Sequence, residues 1–373
     1  MPPTPKLIVL ALNPELAYSR EIVRGVGRFL TECTGYEGAL MAPSNESAMY
    51  GMLRNAAGVI GMHLSNTYLE ILRERQVPAV EVSAARETRD QPRVLPDNVA
   101  IGRMAADHLV EAGYKRFFFT GIPNHWYSRE RFAGYFAQLT THGFDCHDAP
   151  HDPHVFDEWL PAQPRPFAIF CANDIRAYRV VHSARMIALR VPQDVAILGV
   201  DNDELMDEFM PPRISSIDAN SVRIGYEAMR LLDGLIRGEP APQHILRVPP
   251  IGVIARQSTD FLQIEDEAVQ QAVRYIRDHC GRKIGIADVV DHVCVSRRWL
   301  ERRFIEVLKR APAQVLREAR VDRARSLLLS SDLSISEIAQ KSGFSSPKQL
   351  GETFSNVAGE SPREFRQRLR QKA

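Results

Sequence analysis

The chain is 373 residues long, enough for two or three domains, and its 45% hydrophobic and 25% charged residues mark an ordinary folded chain rather than a disordered or fibrous one. Its net charge of +1 hides an asymmetry. Residues 264–373 carry 21 Lys+Arg against 15 Asp+Glu and the remainder 26 against 31, the pattern of an acidic-leaning body joined to a basic nucleic-acid module.

Five cysteines, odd in number, scattered and never spaced C-x-x-C, argue against a disulfide framework or a cysteine zinc site and fit a reducing cytoplasm. No apolar run approaches the roughly 18 residues of a membrane span, and the run 7–12 reads as a buried strand rather than a signal peptide. From there β-branched and aromatic runs alternate with helical stretches: 6–12 before 18–30, 58–62 before 68–75, and 77–82, then 101–112 before 115–121. The pattern continues through 129–141, 167–171, 177–189 and 195–200. Strands spaced by helices of ten or more residues predict βαβ units, right-handed crossovers and a parallel sheet covered on both faces. Gly25-x-Gly27 lacks the third glycine of a nucleotide fingerprint and lies inside a helical pattern, so close packing of a helix on a sheet is expected there. There is no P-loop, G-x-S-x-G elbow or H-E-x-x-H, hence no catalytic constellation, cofactor motif or metal motif.

Several motifs in this part occur together and in order. They are Val94-Leu-Pro-Asp97-Asn98 with Gly102, Ala106, His108-Leu109 and Gly113-Tyr114; Arg131-x-x-Gly134-Tyr135; 168–174 ending in Asn173-Asp174; Val191-Pro192-x-Asp194-Val195; and 198–202. Over about residues 6–256 the chain resembles the ligand-sensing domain of LacI/GalR-type repressors, itself similar to periplasmic sugar-binding proteins. That resemblance implies two α/β lobes with a ligand in the cleft between them. Doubly wound sheets bind ligands beyond the carboxyl ends of their strands, where Asp174 and Asp201 both fall. Carboxylates there would accept from sugar hydroxyls, Arg131 would donate, and Trp126 and Tyr127 would stack on a pyranose face. Asn173 and Asn13 complete the expected ligand set. Other roles stay open: Asp174 as a helix cap, Asp201 as a turn residue, Trp126 as interlobe core and Asn13 as a turn former. His147, His151 and His154, with Cys146, Asp148 and Asp152, offer metal-binding atoms, but Pro150 and Pro153 interrupt the spacing and a solvated loop is expected.

After residue 256 the strand signals stop, a short polar connector is expected at 259–266, and the rest reads as two similar helical halves. In the first, helix 286–293 precedes 296–308; in the second, 335–341 precedes the turn Ser342-Gly343-Phe344 and helix 347–357. Ser334-x-x-Glu337, Ser346-Pro347-x-Gln349 and Ser361-Pro362-x-Glu364 are capping boxes, the last two with proline at the first helical position. Helix 312–331 joins the halves; twenty residues span roughly 30 Å, close to the ~34 Å of one turn of B-DNA.

The motifs Ser296-x-x-x-Leu300-x-Arg302-x-Phe304, Arg320-x-x-x-Ala324-x-x-Leu327-Leu328, Ile335-x-x-Ile338-Ala339, Gly343-Phe344, Phe354 and Pro362-x-x-Phe365-Arg366 resemble the DNA-binding domain of AraC/XylS-type regulators. The fold expected is therefore an α/β two-lobed periplasmic-binding-protein-like sensor and dimerisation domain (1–260) followed by an all-α double helix-turn-helix DNA-binding domain (261–373). By position the resemblance places Ser296, Arg297, Arg298, Glu301 and Arg302 at one major groove and Pro347, Lys348, Gln349, Gly351 and Glu352 at the next. Arginine reads guanine bidentately and glutamate accepts from cytosine N4. Gly351 weakens the second helix by roughly 1 kcal/mol and Glu352 faces phosphate unfavourably, so the second unit is expected to specify less. Cys294 stands where the family carries a turn glycine, and a strained or altered turn is expected. The basic tail (Arg363, Arg366, Arg368, Arg370, Lys372) is expected to touch phosphate or nothing.

Taken end to end, the likeness is to bacterial xylose-responsive activators. It implies a cytoplasmic, non-enzymatic regulator whose partners are a double-stranded DNA operator, a sugar (D-xylose), a second copy of the chain and RNA polymerase, with no cofactor and no membrane. Regulation by another sugar, a sensor without ligand, and an enzyme on the same fold are the alternatives.

Overall fold

The computed structural model describes residues 5–33, 35–42, 51–62, 64–87, 91–207, 211–242, 244–259, 266–308, 310–331 and 333–372. The chain divides into two compact units, Met1–Phe261 and Leu262–Ala373. Most of the expected connector, residues 260–265, lies outside the described residues.

In the first unit, β1 (Lys6–Ala11), β2 (Tyr36–Met41), β3 (Ala56–Gly61) and β4 (Ala79–Glu81) form an all-parallel sheet in the order β2-β1-β3-β4, flanked by α1 (Ala17–Glu32) and α2 (Asn66–Glu74). Strand β5 (Val94–Pro96) leads into the second lobe, through α3 (Asn98–Glu111), β6 (Phe117–Thr120), α4 (Trp126–Thr141), β7 (Cys146–Asp148) and α5 (Pro153–Trp159). Then follow β8 (Phe167–Cys171), α6 (Asp174–Met186), β9 (Val195–Val200) and β10 (Ser215–Asp218). The chain returns to the first lobe with α7 (Ser221–Ile236) and crosses once more between β11 (Leu246–Val248) and β12 (Gly252–Ile254). The second sheet runs β12-β10-β9-β8-β6-β7, parallel except for β12, and β11 pairs with β5 where the chain crosses between lobes. Strands β8 and β9 are buried along their whole length, as a parallel sheet covered on both faces requires.

Two expectations change here. Gly25 does not pack a helix on a sheet. It lets α1 meet α7, because an added Cβ would overlap the Val222 carbonyl, while Gly225 on α7 faces the Ile22 carbonyl in return. The second lobe repeats the device, with Gly102 of α3 against the Arg131 carbonyl and Gly134 of α4 against Val99. The 146–154 segment is not a solvated loop: Cys146–Asp148 pairs in parallel with β6, and Asp152 caps α5 by accepting from the His154 and Val155 N–H groups at 2.9 and 3.1 Å.

The second unit is helical: α8 (Glu267–His279), α9 (Ile286–Val293), α10 (Arg297–Leu308), α11 (Pro312–Ser330), α12 (Ile335–Lys341), α13 (Pro347–Ala358) and α14 (Pro362–Lys372). It has two cores that share α11. Val315 and Leu316 join Leu300 and Phe304 in the first, and Val321, Ala324 and Leu328 join Ile338, Leu350 and Phe354 in the second. Two arginines fix α11 to the loops around it. Arg320 donates to the carbonyls of Cys280, Arg282 and Ile284, at 2.7 Å for Ile284, and Arg323 donates to that of Lys341 at 2.7 Å.

Candidate functional site

Parallel strands end on one side of each lobe, and the loops leaving β1, β3, β4, β6, β8 and β9 close around a cavity of about 230 Å3. Leu16, Ala17, Tyr18, Met62, Ser83 and Ala84 line it from the first lobe. His125, Tyr127, Arg131, Asn173, Asp174, Ile175, Asp201 and Asp203 line it from the second, with Pro96 at the crossing.

Arg131 is the organising cation. Only 3% exposed, it donates from Nε to Asn98 Oδ1 at 3.0 Å and from Nη1 to the Ala172 carbonyl, stands 5.0 Å over the Tyr127 ring and keeps Nη2 3.9 Å from Asp201. Asp201 lies just past β9 at φ +102°, and burial raises its carboxyl pKa to about 6 although Arg131 pulls the other way. Asp174 opens α6 without capping it, since Asn173 is the cap and accepts from the Arg176 N–H at 2.9 Å. The Asp174 carboxylate instead accepts from Ser216 Oγ at 2.7 Å and from the Asp203 N–H at 2.8 Å. Gly199 makes room for it, as a Cβ there would overlap Oδ1. Burial pushes Asp174 well above the usual carboxylate range. The Tyr127 hydroxyl bonds with Asn173, and burial raises its pKa to about 12. Across the cleft Tyr18 donates to the Val82 carbonyl at 2.7 Å, and Arg20 of α1 pairs with Asp203 at 2.8 Å, tying the lobes together. Three carboxylates and one deeply buried guanidinium suit a neutral polyhydroxylated ligand, whose hydroxyls can donate to the former and accept from the latter.

Arg131, Asn173, Asp174, Asp201 and Tyr127 thus come together, while Asn13 and Trp126 do not join them. Asn13 Oδ1 accepts from the Glu15 N–H at 3.0 Å, a turn within its own loop. The guanidinium groups of Arg93 and Arg247 lie 5.0 and 5.1 Å from the centroid of the Trp126 ring. Tyr18, Ser83 and Asp203 are cleft residues that sequence reasoning missed; Asp203, two residues past Asp201 on the same strand end, carried the clearest signal. His151 pairs with Asp148 at 3.2 Å, and among the described residues no group of three or more His, Cys, Asp and Glu could hold a metal ion.

In the second unit Ser296 accepts from the Trp299 N–H at 3.2 Å at the start of α10. Leu300 and Phe304 are buried, Arg298 and Arg302 are exposed on the opposite face, and Arg297 is exposed in the first turn. Arg297 pairs with the half-buried Glu301 at 2.9 Å, and Arg302 lies 3.8 Å from Glu306. Helix α13 repeats the frame: Ser346 accepts from the Gln349 N–H at 3.2 Å, Leu350 and Phe354 are buried, and Pro347, Lys348, Gln349 and Glu352 are exposed. The expected box there closes differently, since Gln349 Oε1 accepts from Ser345 N–H and Oγ, both at 2.9 Å. The boxes of Ser334 with Glu337 and of Ser361 with Glu364 close as expected. Cys294 takes the left-handed turn conformation itself, at φ +55°. The side chains of Arg368, Arg370 and Lys372 lie outside the described residues.

Residues 106–259 match the periplasmic binding protein-like domain family and residues 289–368 the helix-turn-helix domain family. The "Xylose operon regulatory protein" of Escherichia coli strain K12 is 30% identical over 96% of each chain, and that of Haemophilus influenzae 28% identical over 96% of this chain and 97% of its own. The solved "xylose-binding transcription activator xylR" is 28% identical and superposes with a TM-score of 0.61, covering 98% of this chain and 99% of its own. The transcription regulator CcpA of Lactococcus lactis, 20% identical with a TM-score of 0.58 over 69% of this chain and all of its own, shares the fold alone. The chain belongs to the family of xylose operon regulatory proteins, DNA-binding transcription regulators in which a periplasmic-binding-protein-like sensor precedes an AraC-type double helix-turn-helix domain.

Proposed function

We propose that this chain is a cytoplasmic, non-enzymatic transcription activator that binds D-xylose in the cleft around Arg131 and Asp201. It works as a homodimer, recruits RNA polymerase and reads its operator through α10 and α13. The supporting observation is the cleft itself, a pocket at the strand ends lined by acceptor carboxylates, one buried arginine and the Tyr127 ring. Two relatives of nearly equal length are named for the xylose operon.

Within this reading Asp201 is the main hydroxyl acceptor, because the Asp174 oxygens are already engaged by Ser216 and Asp203. Asn173 and Tyr127 hold one edge of the sugar. Arg298 and Arg302 read bases, and Arg297, Glu301, Ser296, Pro347, Lys348, Gln349 and Glu352 complete the two DNA-facing surfaces.

Thermal unfolding of the whole chain against a panel of pentoses and hexoses tests the ligand. A sugar at 100 times its Kd adds about 2.7 kcal/mol, which raises the midpoint by about 5 °C or more for a sensor of this size. A rise with D-xylose alone is expected. A rise with a different sugar, or with none, overturns the xylose assignment.

A further inference from the structure

Arg131 is held from behind. Its Nε donates to Asn98 Oδ1 at 3.0 Å, and Asn98, wholly buried, donates from Nδ2 to Glu130 Oε2 at 3.1 Å. Glu130 in turn accepts both arms of Arg247, at 2.6 and 3.1 Å. Arg247 sits on β11, opposite Leu95 of β5, where the chain crosses between lobes. Its guanidinium also lies 5.1 Å from the Trp126 ring centroid, and that of Arg93, which donates to the carbonyls of Ser83 and Arg86 at 3.0 and 2.8 Å, lies 5.0 Å from the same ring. Ser83 and Pro96 border the cleft, so the chain of contacts leaves the cleft at Arg131, traverses the crossing strands and returns to the first-lobe wall.

We propose that Glu130 is a positioning residue of the sensor: through Asn98 it fixes the guanidinium of Arg131 in the cleft, and through Arg247 it transmits occupancy of the cleft to the crossing strands β5 and β11. This deepens the sugar reading above and rests on it. The geometry suits the task. A bidentate carboxylate–guanidinium pair sets orientation as well as distance. A part-buried pair also has two discrete states, joined or broken, rather than a continuum. Trp126, the first residue of α4, contacts both Arg93 and Arg247 beside β5 and β11, and these cation–ring contacts couple α4 to the crossing strands.

The test uses the full chain, D-xylose and a duplex selected by this chain from a random library. Arg247→Met keeps the stem and removes the charge. It is expected to bind D-xylose within about threefold of the unsubstituted chain, while the sugar-dependent change in duplex affinity, about 5–150-fold for coupled sites, falls below about twofold. Glu130→Gln is expected to weaken sugar binding by about tenfold as well, because Arg131 loses its anchor. The double variant E130Q/R247M removes both charges, so no orphan charge destabilises the fold; it is expected to melt like the parent and remain uncoupled. A ligand-free arm follows amide exchange at Leu246 and Asp97, whose N–H groups bond the Arg93 and Val248 carbonyls. Faster exchange there in R247M, with β8 unchanged, is expected.

Coupling retained in R247M, unweakened sugar binding in E130Q, coupling regained in the double variant, or unchanged exchange each overturns the proposal. Failure of the unsubstituted chain to respond to D-xylose overturns the sugar reading instead, and the exchange arm still decides whether the network ties Glu130 to the crossing strands.

Discussion

Asp201 lines the cleft at some expense to the fold. Its carboxyl pKa is raised to about 6 by burial, even with Arg131 3.9 Å away. A folded pKa above the unfolded value means that the folded chain holds the proton more tightly. Stability from this group is therefore full below about pH 4 and is lost as pH rises through 6, by up to about 3 kcal/mol. Asp201→Asn should raise the unfolding midpoint by several degrees at pH 7.5, and that gain should disappear by pH 4. The same change should weaken sugar binding about 10- to 100-fold, since a charged acceptor is lost. Melting curves across pH, with titration calorimetry at pH 7.5, check both; a variant no more stable at pH 7.5 would show that ionised Asp201 is not under strain. Asp201 and Asp174 were legible in the sequence because each falls just past a buried parallel strand, and Arg131, which lies within α4, because of its motif Arg131-x-x-Gly134-Tyr135. Asn13 and Trp126 were not separable from them. Asn13 serves a turn within its own loop, whereas the Trp126 ring, at the start of α4, meets the guanidinium groups of Arg93 and Arg247, which are distant in sequence.

At the scale of elements, the reciprocal glycines decide how closely helices pair in each lobe. Gly102 meets the Arg131 carbonyl and Gly134 that of Val99, so α3 fixes the backbone that carries the cleft arginine. Gly102→Ala should separate these helices, lowering stability by about 3 kcal/mol and weakening sugar binding with it. An alanine at Gly27, where a Cβ meets nothing within 4 Å, should be neutral or slightly stabilising in its helix. Equal denaturation midpoints for G102A and G27A would show that the crossing can relax. Cys294 is the converse case, a side-chain-bearing residue at φ +55° in the turn between α9 and α10. Cys294→Gly should stabilise the helical unit by about 1 kcal/mol, read as a higher denaturation midpoint of its tryptophan signal. Sequence periodicity found β1, β8, β9 and the four helices of the two helix-turn-helix units, because each is long or continuously apolar. It missed β10, whose Ser215 and Ser216 are buried yet polar and satisfied by the Arg256 carbonyl and Asp174. It missed α7 as well, which follows the second lobe in sequence and completes the first in space.

For the molecule as a whole, the charge split along the chain was the first sign of its two units, and ordered motifs rather than composition identified them. The sequence already set the proposed DNA-reading helices apart through Gly351 and Glu352, and the hydrogen bonds on α10 and α13 add a second reason. On α10 the guanidinium of Arg302 is exposed and held only loosely, 3.8 Å from Glu306, so it can turn to a base edge. On α13 the carbonyl oxygen of Gln349 is committed to Ser345 in the helix cap, and Lys348 lies 4.0 Å from Glu352, which also offsets its charge toward phosphate. Gly351, with open space where a side chain would be, leaves the centre of that face bare. The first unit should therefore supply most of the base discrimination and the second mainly placement. Arg302→Ala should weaken binding to a selected duplex by roughly 5- to 150-fold, the range of one lost bidentate base contact, and relax preference at one base pair. Gln349→Ala should cost less than about fivefold and act evenly across sequences, through a weaker cap on α13. Fluorescence anisotropy against the selected duplex and its single-base variants, at one fixed salt concentration, separates the two effects. If Arg302→Ala weakens binding no more than Gln349→Ala does, base discrimination does not rest on α10.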